Sequence, residues 1–310
     1  MMAPKIIFGP ETAEPSVVSI GSFDGVHLGH QDILTQMGEV ASSGGWKVCI
    51  ATFDPHPRAV LGGLERQTLT TLEERGHLLQ HHGIDRFIAI PFSQSVAETS
   101  PEAFVEEVLV KAMGAKAVIV GYDHRFGKDR RGDVELLREL GLRYGFSVHK
   151  REPVQLDDHV VSSSLIRGLI AEGEVEQASQ FLGRRYAVTG TVIKGAGRGK
   201  GIGVPTANLK PVSEQKLTPG TGVYAVMVQL PESDVLLPGM MNIGTRPTFE
   251  GLGLHLEVNI LDWSGDLYDR ELRVEFAKRL RNEQKFASVN DLIEQLNKDR
   301  ERCRRLLEEK

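Results

Sequence analysis

The sequence predicts two domains of different class. Residues 1–183 read as a Rossmann-like α/β domain, and residues 184–310 as a six-stranded antiparallel β-barrel followed by a C-terminal helix. Three observations carry this. A length of 310 residues suits two domains. Residues 16 to about 180 alternate strand-like and helix-like segments, the grammar of a parallel sheet with crossover helices. Beyond about Tyr186, strands follow one another through glycine- and proline-rich turns with no helix between them, which suggests a small antiparallel barrel.

The first-domain elements follow in order. "SVVSIGSF" is a short apolar strand, and "LGHQDILTQMGEVASSGG" sets Leu28, Ile33, Leu34 and Met37 at helical spacing before stopping in glycines. "WKVCIATF" is a strand, and "TTLEERGHLLQHHG" opens on a Thr71/Glu74 capping box and ends at Gly83. "IDRFIAIPF" is a strand. "SPEAFVEEVLVKAMG" has Ser100 as N-cap, Pro101 at the first helical position and Gly114 at its end. "AKAVIVG" is a strand, "DVELLRELGLRYG" a helix, "FSVHKREPV" a strand and "EVEQASQFLG" a helix that closes the domain near Gly183. In the second domain the strand candidates are "RYAVTGTVIKG", "GVPTANLKP", "GVYAVMVQL", "LLPGMMNIGTRPTF", "LHLEVNILDW" and "RELRVEFAKRL". A helix over roughly 288–310 carries Leu292, Ile293, Leu296, Leu306 and Leu307, with its charges on a solvated face.

Composition narrows the function. A net charge of −5 argues against a nucleic-acid partner held by bulk electrostatics. Cys49 and Cys303 have no partners at metal-ligand spacing, so neither a disulfide framework nor a zinc site is expected. The N-terminus lacks the apolar stretch of a secretion signal, and no run reaches the ~18 apolar residues of a membrane span. The expectation is a cytoplasmic protein without a membrane or nucleic-acid partner, monomeric or weakly homo-oligomeric.

The first candidate site is "GSFDGVHLGHQ". His27 and His30 are three apart where the first strand passes into the first helix, so both imidazoles share one face of the opening turn. Helix N-termini attract anions, and open α/β sheets bind ligands at the carboxyl ends of their strands. Two imidazoles there can donate to phosphate oxygens as charge builds in a transition state; the other reading is two structural histidines at a turn. Glycines at 21, 25 and 29 do not fit G-x-G-x-x-G, which disfavours a dinucleotide redox site of that style.

The second is "KGAGRGKGIGVPTANLK". Glycine takes every second position from Gly195 to Gly203, with Lys194, Arg198 and Lys200 interleaved. Gly201 follows Lys200 where a Walker A loop needs Ser or Thr, and no helix follows. Thr206 and Asn208 would share one strand face. Their oxygens are hard ligands suited to Mg²⁺ carrying nucleotide phosphates; the residues read equally as a polar strand face beside a flexible hairpin.

H-x-G-H after the first strand resembles the signature of the nucleotidyltransferase superfamily. That superfamily includes class I aminoacyl-tRNA synthetases, but no K-M-S-K-S motif is present. With "TFDPHP", "VGYDHRFG" and "SSSLIR", the first domain is similar to the adenylyltransferase module of bacterial bifunctional riboflavin kinase/FAD synthetases. "GKGIGVPTANL", "GVYAV", "NIGTRPTF", "LEVNILDWSGDLYDREL" and "RNEQKF" occur in the order and spacing of the riboflavin kinase family, a six-stranded antiparallel barrel. The resemblance spans about residues 16–300. It implies phosphorylation of riboflavin by ATP to FMN, then adenylyl transfer from a second ATP to give FAD and pyrophosphate, with Mg²⁺ in both steps.

The resemblance also assigns residues. His27 and His30 would act on the ATP triphosphate, with Gly21, Phe23, Asp24, Gly29, Asp123, Ser163, Ser164 and Arg167 completing that site. Asp54, Arg281 and Phe286 would serve the flavin or adenylylation sites. Gly195, Gly197, Arg198, Lys200, Gly203 and Pro205 would form a flap on the phosphates of the kinase ATP, above a Mg²⁺ held by Thr206 and Asn208. Glu257 would be the base toward the ribityl 5′-hydroxyl, although by itself it also reads as a solvent-facing strand residue. The chain departs from the family pattern at His124, commonly phenylalanine, at Val204, often aromatic, and at Asp269, usually glycine. Two rival readings are another nucleotidyltransferase with an accessory barrel and a non-catalytic flavin-nucleotide binder. The first leaves Thr206, Asn208 and Glu257 without a task, and the second has no need of His27, His30 and Glu257 together.

Overall fold

The computed structural model describes residues 5–9, 13–62, 67–195, 204–248 and 251–308. The chain divides into two compact units, Met1–Ser163 and Ser164–Lys310.

In the first unit the strands are β1 (Lys5–Phe8), β2 (Ser16–Ile20), β3 (Lys47–Asp54), β4 (Arg86–Pro91), β5 (Ala115–Gly121) and β6 (Ser147–Arg151). They form one sheet in the order β1-β4-β3-β2-β5-β6, parallel from β4 to β6, while β7 (Gln155–Leu156) and β8 (His159–Val160) pair antiparallel as a separate two-stranded ribbon. β1 is an antiparallel edge strand that the sequence reading did not anticipate. Alternate residues of each inner strand feed opposite layers. Val17, Ile50, Phe87 and Ile119 pack with Leu34, Met37 and Ala41 of α1 (Leu28–Gly44). Val18, Ala51, Ile88 and Val118 pack with Phe104, Val108 and Leu137 on the other side. Burial on both faces is why these strands are apolar throughout rather than alternating.

Helices cover both layers: α2 (Pro57–Gly62), α3 (Leu72–His81), α4 (Gln94–Ala97), α5 (Pro101–Phe104) and α6 (Val134–Tyr144). The caps read from sequence are present. Thr71 and Glu74 exchange both capping-box hydrogen bonds at the start of α3, and Ser100 caps α5 with Pro101 in its first turn. Past Phe104 the helix continues in π-helical form over Val105–Ala112. The crossovers leave β2 and β5 side by side at the point where the strand order reverses. Ligands bind there, beyond the carboxyl ends of the strands, in folds of this class.

Two helices, α7 (Ser163–Glu172) and α8 (Val175–Leu182), precede the barrel strands. α8 buries Val175, Ala178, Phe181 and Leu182 and packs on two barrel strands, β9 and β14, which is why it groups with the barrel in the second unit. β9 (Tyr186–Ile193), β10 (Ala207–Pro211), β11 (Gly222–Gln229), β12 (Leu236–Thr248), β13 (Gly251–Ile260) and β14 (Glu271–Arg281) close a barrel in the order β10-β13-β12-β11-β14-β9. Each corresponds to one of the six expected strands. Tyr224, Met241, Val258 and Phe276 fill the interior, with Tyr224 and Phe276 edge to face at 5.3 Å. The C-terminal helix, α9 (Val289–Glu308), packs on the outside. Its Cys303 is fully buried against Val223, Ala225, Met240 and Leu280. Asp269, where the family usually has glycine, has φ +61°, the left-handed region that glycine enters without penalty.

Candidate active sites

In the first unit, β2 runs into a tight loop that delivers His27 to the start of α1. Phe23 and Val26 take φ of +45° and +41°, unusual for an aromatic and a β-branched residue. Burial of both side chains and hydrogen bonds from Gly25 N to Thr70 Oγ1 and from Gln31 Nε2 to Val26 O hold that shape. His27 is the N-cap of α1, and its Nδ1 accepts from His30 N at 3.3 Å. An accepting Nδ1 leaves the hydrogen of the neutral ring on Nε2, a donor suited to phosphate oxygen. The His27 and His30 rings stack 3.7 Å apart, with Phe23 4.9 Å from His30. A Cβ on Gly29 would crowd the His27 ring at 3.2 Å, and one on Gly21 would meet Phe23 at 3.3 Å. These two glycines make room for the rings.

Asp24 lies in the same loop, but its carboxylate turns inward. Oδ1 accepts from Leu69 N at 2.8 Å and Thr70 N at 3.0 Å, and buried Arg75 lies 3.9 Å away. Arg75 also donates to Thr52 Oγ1 and Thr70 O, and burial pulls its pKa down against the opposing pull of Asp24 and Asp54. Ser163 donates to Asp24 O at 2.9 Å, tying the last residue of this unit to the loop. Asp54 and Asp123 are exposed at the carboxyl ends of β3 and β5. His124 stacks on Phe126, and burial pushes its pKa down to about 4. In the second unit Arg167 donates to Ser164 Oγ within the first turns of α7.

The barrel site is read from its register. Asn208 of β10 lies directly across from Glu257 of β13, and Glu257 directly across from Asn242 of β12. Directly opposed residues share a face, with Cβ atoms about 4.5–5.5 Å apart. Ala225 opposes Met240, Met240 opposes Asn259, and Asn259 is two residues from Glu257. α9 packs on Ala225 and Met240, so the whole row lies on the outer face of the barrel. Thr206 stands immediately before β10.

Asn208 Oδ1 and Asn259 Oδ1 are buried without a hydrogen-bond partner among the described residues. Asn259 Nδ2 donates to Pro205 O at 2.7 Å, fixing the chain next to Thr206. Gly195 is needed where it stands: a Cβ there would lie 1.9 Å from the Asn208 amide. Gly197, Arg198, Lys200 and Gly203, and with them the expected flap, lie outside the described residues. Arg281 and Phe286 are together, the guanidinium 5.8 Å over the ring. Arg281 is also engaged by buried Asp299 of α9, at 2.8 Å and 2.9 Å. His255 was overlooked in the sequence although strand alternation sets it on the face of Glu257; its Nε2 lies 2.7 Å from Glu257 Oε1.

Histidines at an anion-attracting helix start, and elsewhere a carboxylate beside an orphaned amide oxygen, are the equipment of a transferase that acts on phosphates at two centres. Residues 9–165 match the family model described as FAD synthetase, and residues 182–307 the one described as riboflavin kinase. The chain therefore belongs to the bifunctional riboflavin kinase/FMN adenylyltransferase family. Such an enzyme from Pseudomonas fluorescens is 38% identical over 284 residues, 91% of this chain and 90% of its own length. One from Listeria monocytogenes is 38% identical over 292 residues, 93% and 91% of the two chains. A solved structure named as a macrolide-efflux protein from Streptococcus pneumoniae shares the architecture, with a TM-score of 0.88, 31% identity and 96% coverage of both chains. The protein is an enzyme of FAD biosynthesis: riboflavin is phosphorylated to FMN, and FMN is adenylylated to FAD. Kinases and adenylyltransferases that use ATP generally need a divalent metal. Among the described residues, no helix is long and apolar enough to cross a membrane.

Proposed function

We propose that the two steps divide between residues as follows. At the barrel, Glu257 accepts the proton of the ribityl 5′-hydroxyl while that oxygen bonds to the γ-phosphorus of ATP and the bond to the ADP oxygen breaks. The supporting observation is the register that sets Glu257 across from Asn208, whose buried Oδ1 has no partner among the described residues. That orphaned oxygen, with Thr206 one residue before the strand, fits a hard divalent cation. Thr206 and Asn208 would hold Mg²⁺, which when bound screens the charge on the ATP phosphates. Gly195 and Pro205 stand at the two ends of the glycine loop, and Gly197, Arg198, Lys200 and Gly203, which lie outside the described residues, are assigned to the ATP phosphates by the family resemblance. Arg281 and Phe286 border the flavin.

At the α/β unit, a phosphate oxygen of FMN attacks the α-phosphorus of ATP and pyrophosphate leaves. His27 and His30 donate to the triphosphate oxygens as charge builds. Gly21, Phe23, Gly29 and Asp24 shape their loop, Ser163 ties it down, and Asp123 and Asp54 supply nucleotide and FMN contacts; Ser164 and Arg167 are assigned to phosphate by the family resemblance alone. Both steps draw on cytoplasmic ATP. The test incubates the protein with riboflavin, ATP and Mg²⁺ and resolves the flavins by chromatography. FMN followed by FAD is expected. The absence of any new flavin would overturn the assignment.

A further inference from the structure

His255 and Glu257 are two apart on β13 and therefore share a face. The 2.7 Å between His255 Nε2 and Glu257 Oε1 is a short, direct hydrogen bond. A carboxylate only accepts, so the ring nitrogen carries the hydrogen and donates it. The two side chains are 25% and 21% exposed, which places the pair at the surface of the barrel wall and within reach of a substrate.

The surroundings restrict the pair further. His255 lies directly across from Gly244 of β12. A Cβ on Gly244 would meet the Glu283 carboxylate, which therefore lies over Gly244. Asn208 and Asn242 flank Glu257 on its two sides, and both are neutral. The ring donates to the Glu257 carboxylate.

We infer that His255 is a positioning residue for the kinase step. Its Nε2–H holds Oε1 of Glu257 and so fixes the orientation of the carboxylate that meets the ribityl 5′-hydroxyl. The inference rests on the reading of Glu257 as the base. In the step the hydroxyl proton goes to the Glu257 carboxylate, and His255 keeps its own hydrogen, so the ring gains and loses nothing. The terminal torsion of a glutamate is broad and soft. Without the histidine, the carboxylate spends much of its time turned away from the hydroxyl. Partners of this kind, acting one shell from the chemistry, typically carry about 10- to 100-fold in activity.

The test is riboflavin kinase kinetics on the full chain for His255→Ala, His255→Gln, Glu257→Gln and the double variant His255→Ala/Glu257→Gln. The FMN adenylyltransferase rate and a thermal melt report folding. His255→Ala should lower kcat by about tenfold or more with KM for riboflavin and ATP little changed. His255→Gln, whose amide nitrogen can take the place of Nε2, should recover most of that loss. His255→Ala added to Glu257→Gln should cost nothing further, because the histidine acts only through that carboxylate. If the alanine variant does not fold, His255→Asn, too short to reach Oε1, takes its place. A full kcat in the alanine variant, a glutamine variant as slow as alanine, or a further loss in the double variant would each overturn the inference. Undiminished kinase activity in Glu257→Gln would overturn the reading of the base itself and the inference with it. An inactive Glu257→Gln beside a fully active His255→Ala removes only the role of His255.

Discussion

His30 shows how much of a site one residue carries. It contributes its N–H to His27 Nδ1 and its ring to a stack with His27 and Phe23. Replacement by alanine removes the ring proposed to donate to phosphate and with it the stack on His27, while the backbone N–H to His27 Nδ1 remains. His30→Ala is therefore expected to reduce FAD formation from FMN by about 10²–10³-fold, while riboflavin is still converted to FMN at the wild-type rate. Parallel assays with the two starting flavins check this, and an equal loss of both activities in a folded protein would contradict it. His124 carries a different prediction. Its folded pKa of about 4 lies below the 6.5 of an unfolded histidine. Between those values the unfolded chain binds a proton that the folded chain refuses, so stability falls as pH drops from 6.5 toward 4, by roughly 2–3 kcal/mol at most. His124→Phe, the residue common in the family, should flatten that slope; urea midpoints at pH 7 and pH 4.5 measure it. The histidine pair could be read from sequence because both residues fall within one turn. The inward turn of Asp24 could not, because its partners Leu69 and Thr70 come from a distant segment. Asp299 on Arg281 is hidden in the same way.

At the scale of elements, local chemistry reads well and long-range pairing does not. The capping box of α3 is complete, with Glu74 N to Thr71 Oγ1 and Thr71 N to Glu74 Oε2 both at 3.1 Å. Thr71→Ala should cost about 1–2 kcal/mol, read as a lower urea midpoint with an unchanged slope. α3 also delivers Arg75 to the Asp24 network, so this variant reports whether fraying the cap reaches the site; a loss of adenylyltransferase activity beyond the loss of folded protein would show that it does. The inner strands were legible as unbroken apolar runs, and the barrel strands by their turns. β1 was not: Lys5–Phe8 is four residues long and its antiparallel partner β4 lies far along the chain. The π-helical form of Val105–Ala112 was not legible either, since side-chain spacing announces a helix without announcing which carbonyl each N–H will choose. Thr206 and Asn208 could be singled out as oxygen ligands in the sequence. Only the register sets Asn208 across from Glu257.

Across the whole molecule, two family models match successive stretches of the chain, 9–165 and 182–307, and FMN is the product of one activity and the substrate of the other. The change of sequence pattern near Tyr186 made that division readable in outline. α8, before Gly183, groups with the barrel because its apolar face packs on β9 and β14, which sequence order alone does not disclose. If each unit works on its own, the two activities should be separable between molecules. His30→Ala is expected to retain the kinase and Glu257→Gln the adenylyltransferase, so neither alone should make FAD from riboflavin at an appreciable rate. Mixed in equal amounts with riboflavin, ATP and Mg²⁺, they should make it together. FMN released by the first variant must accumulate before the second can use it, so FAD should appear after a lag that shortens as the concentration of the kinase-competent variant is raised. Adding free FMN at the start should abolish the lag. Chromatography of timed samples measures all of this. FMN that accumulates without FAD in the mixture, while Glu257→Gln alone still converts added FMN, would mean that the adenylyltransferase is blocked by something in the mixture. FAD formed by wild-type protein with no lag, against a long lag in the mixture at the same kinase rate, would mean that FMN passes directly between the sites of one chain.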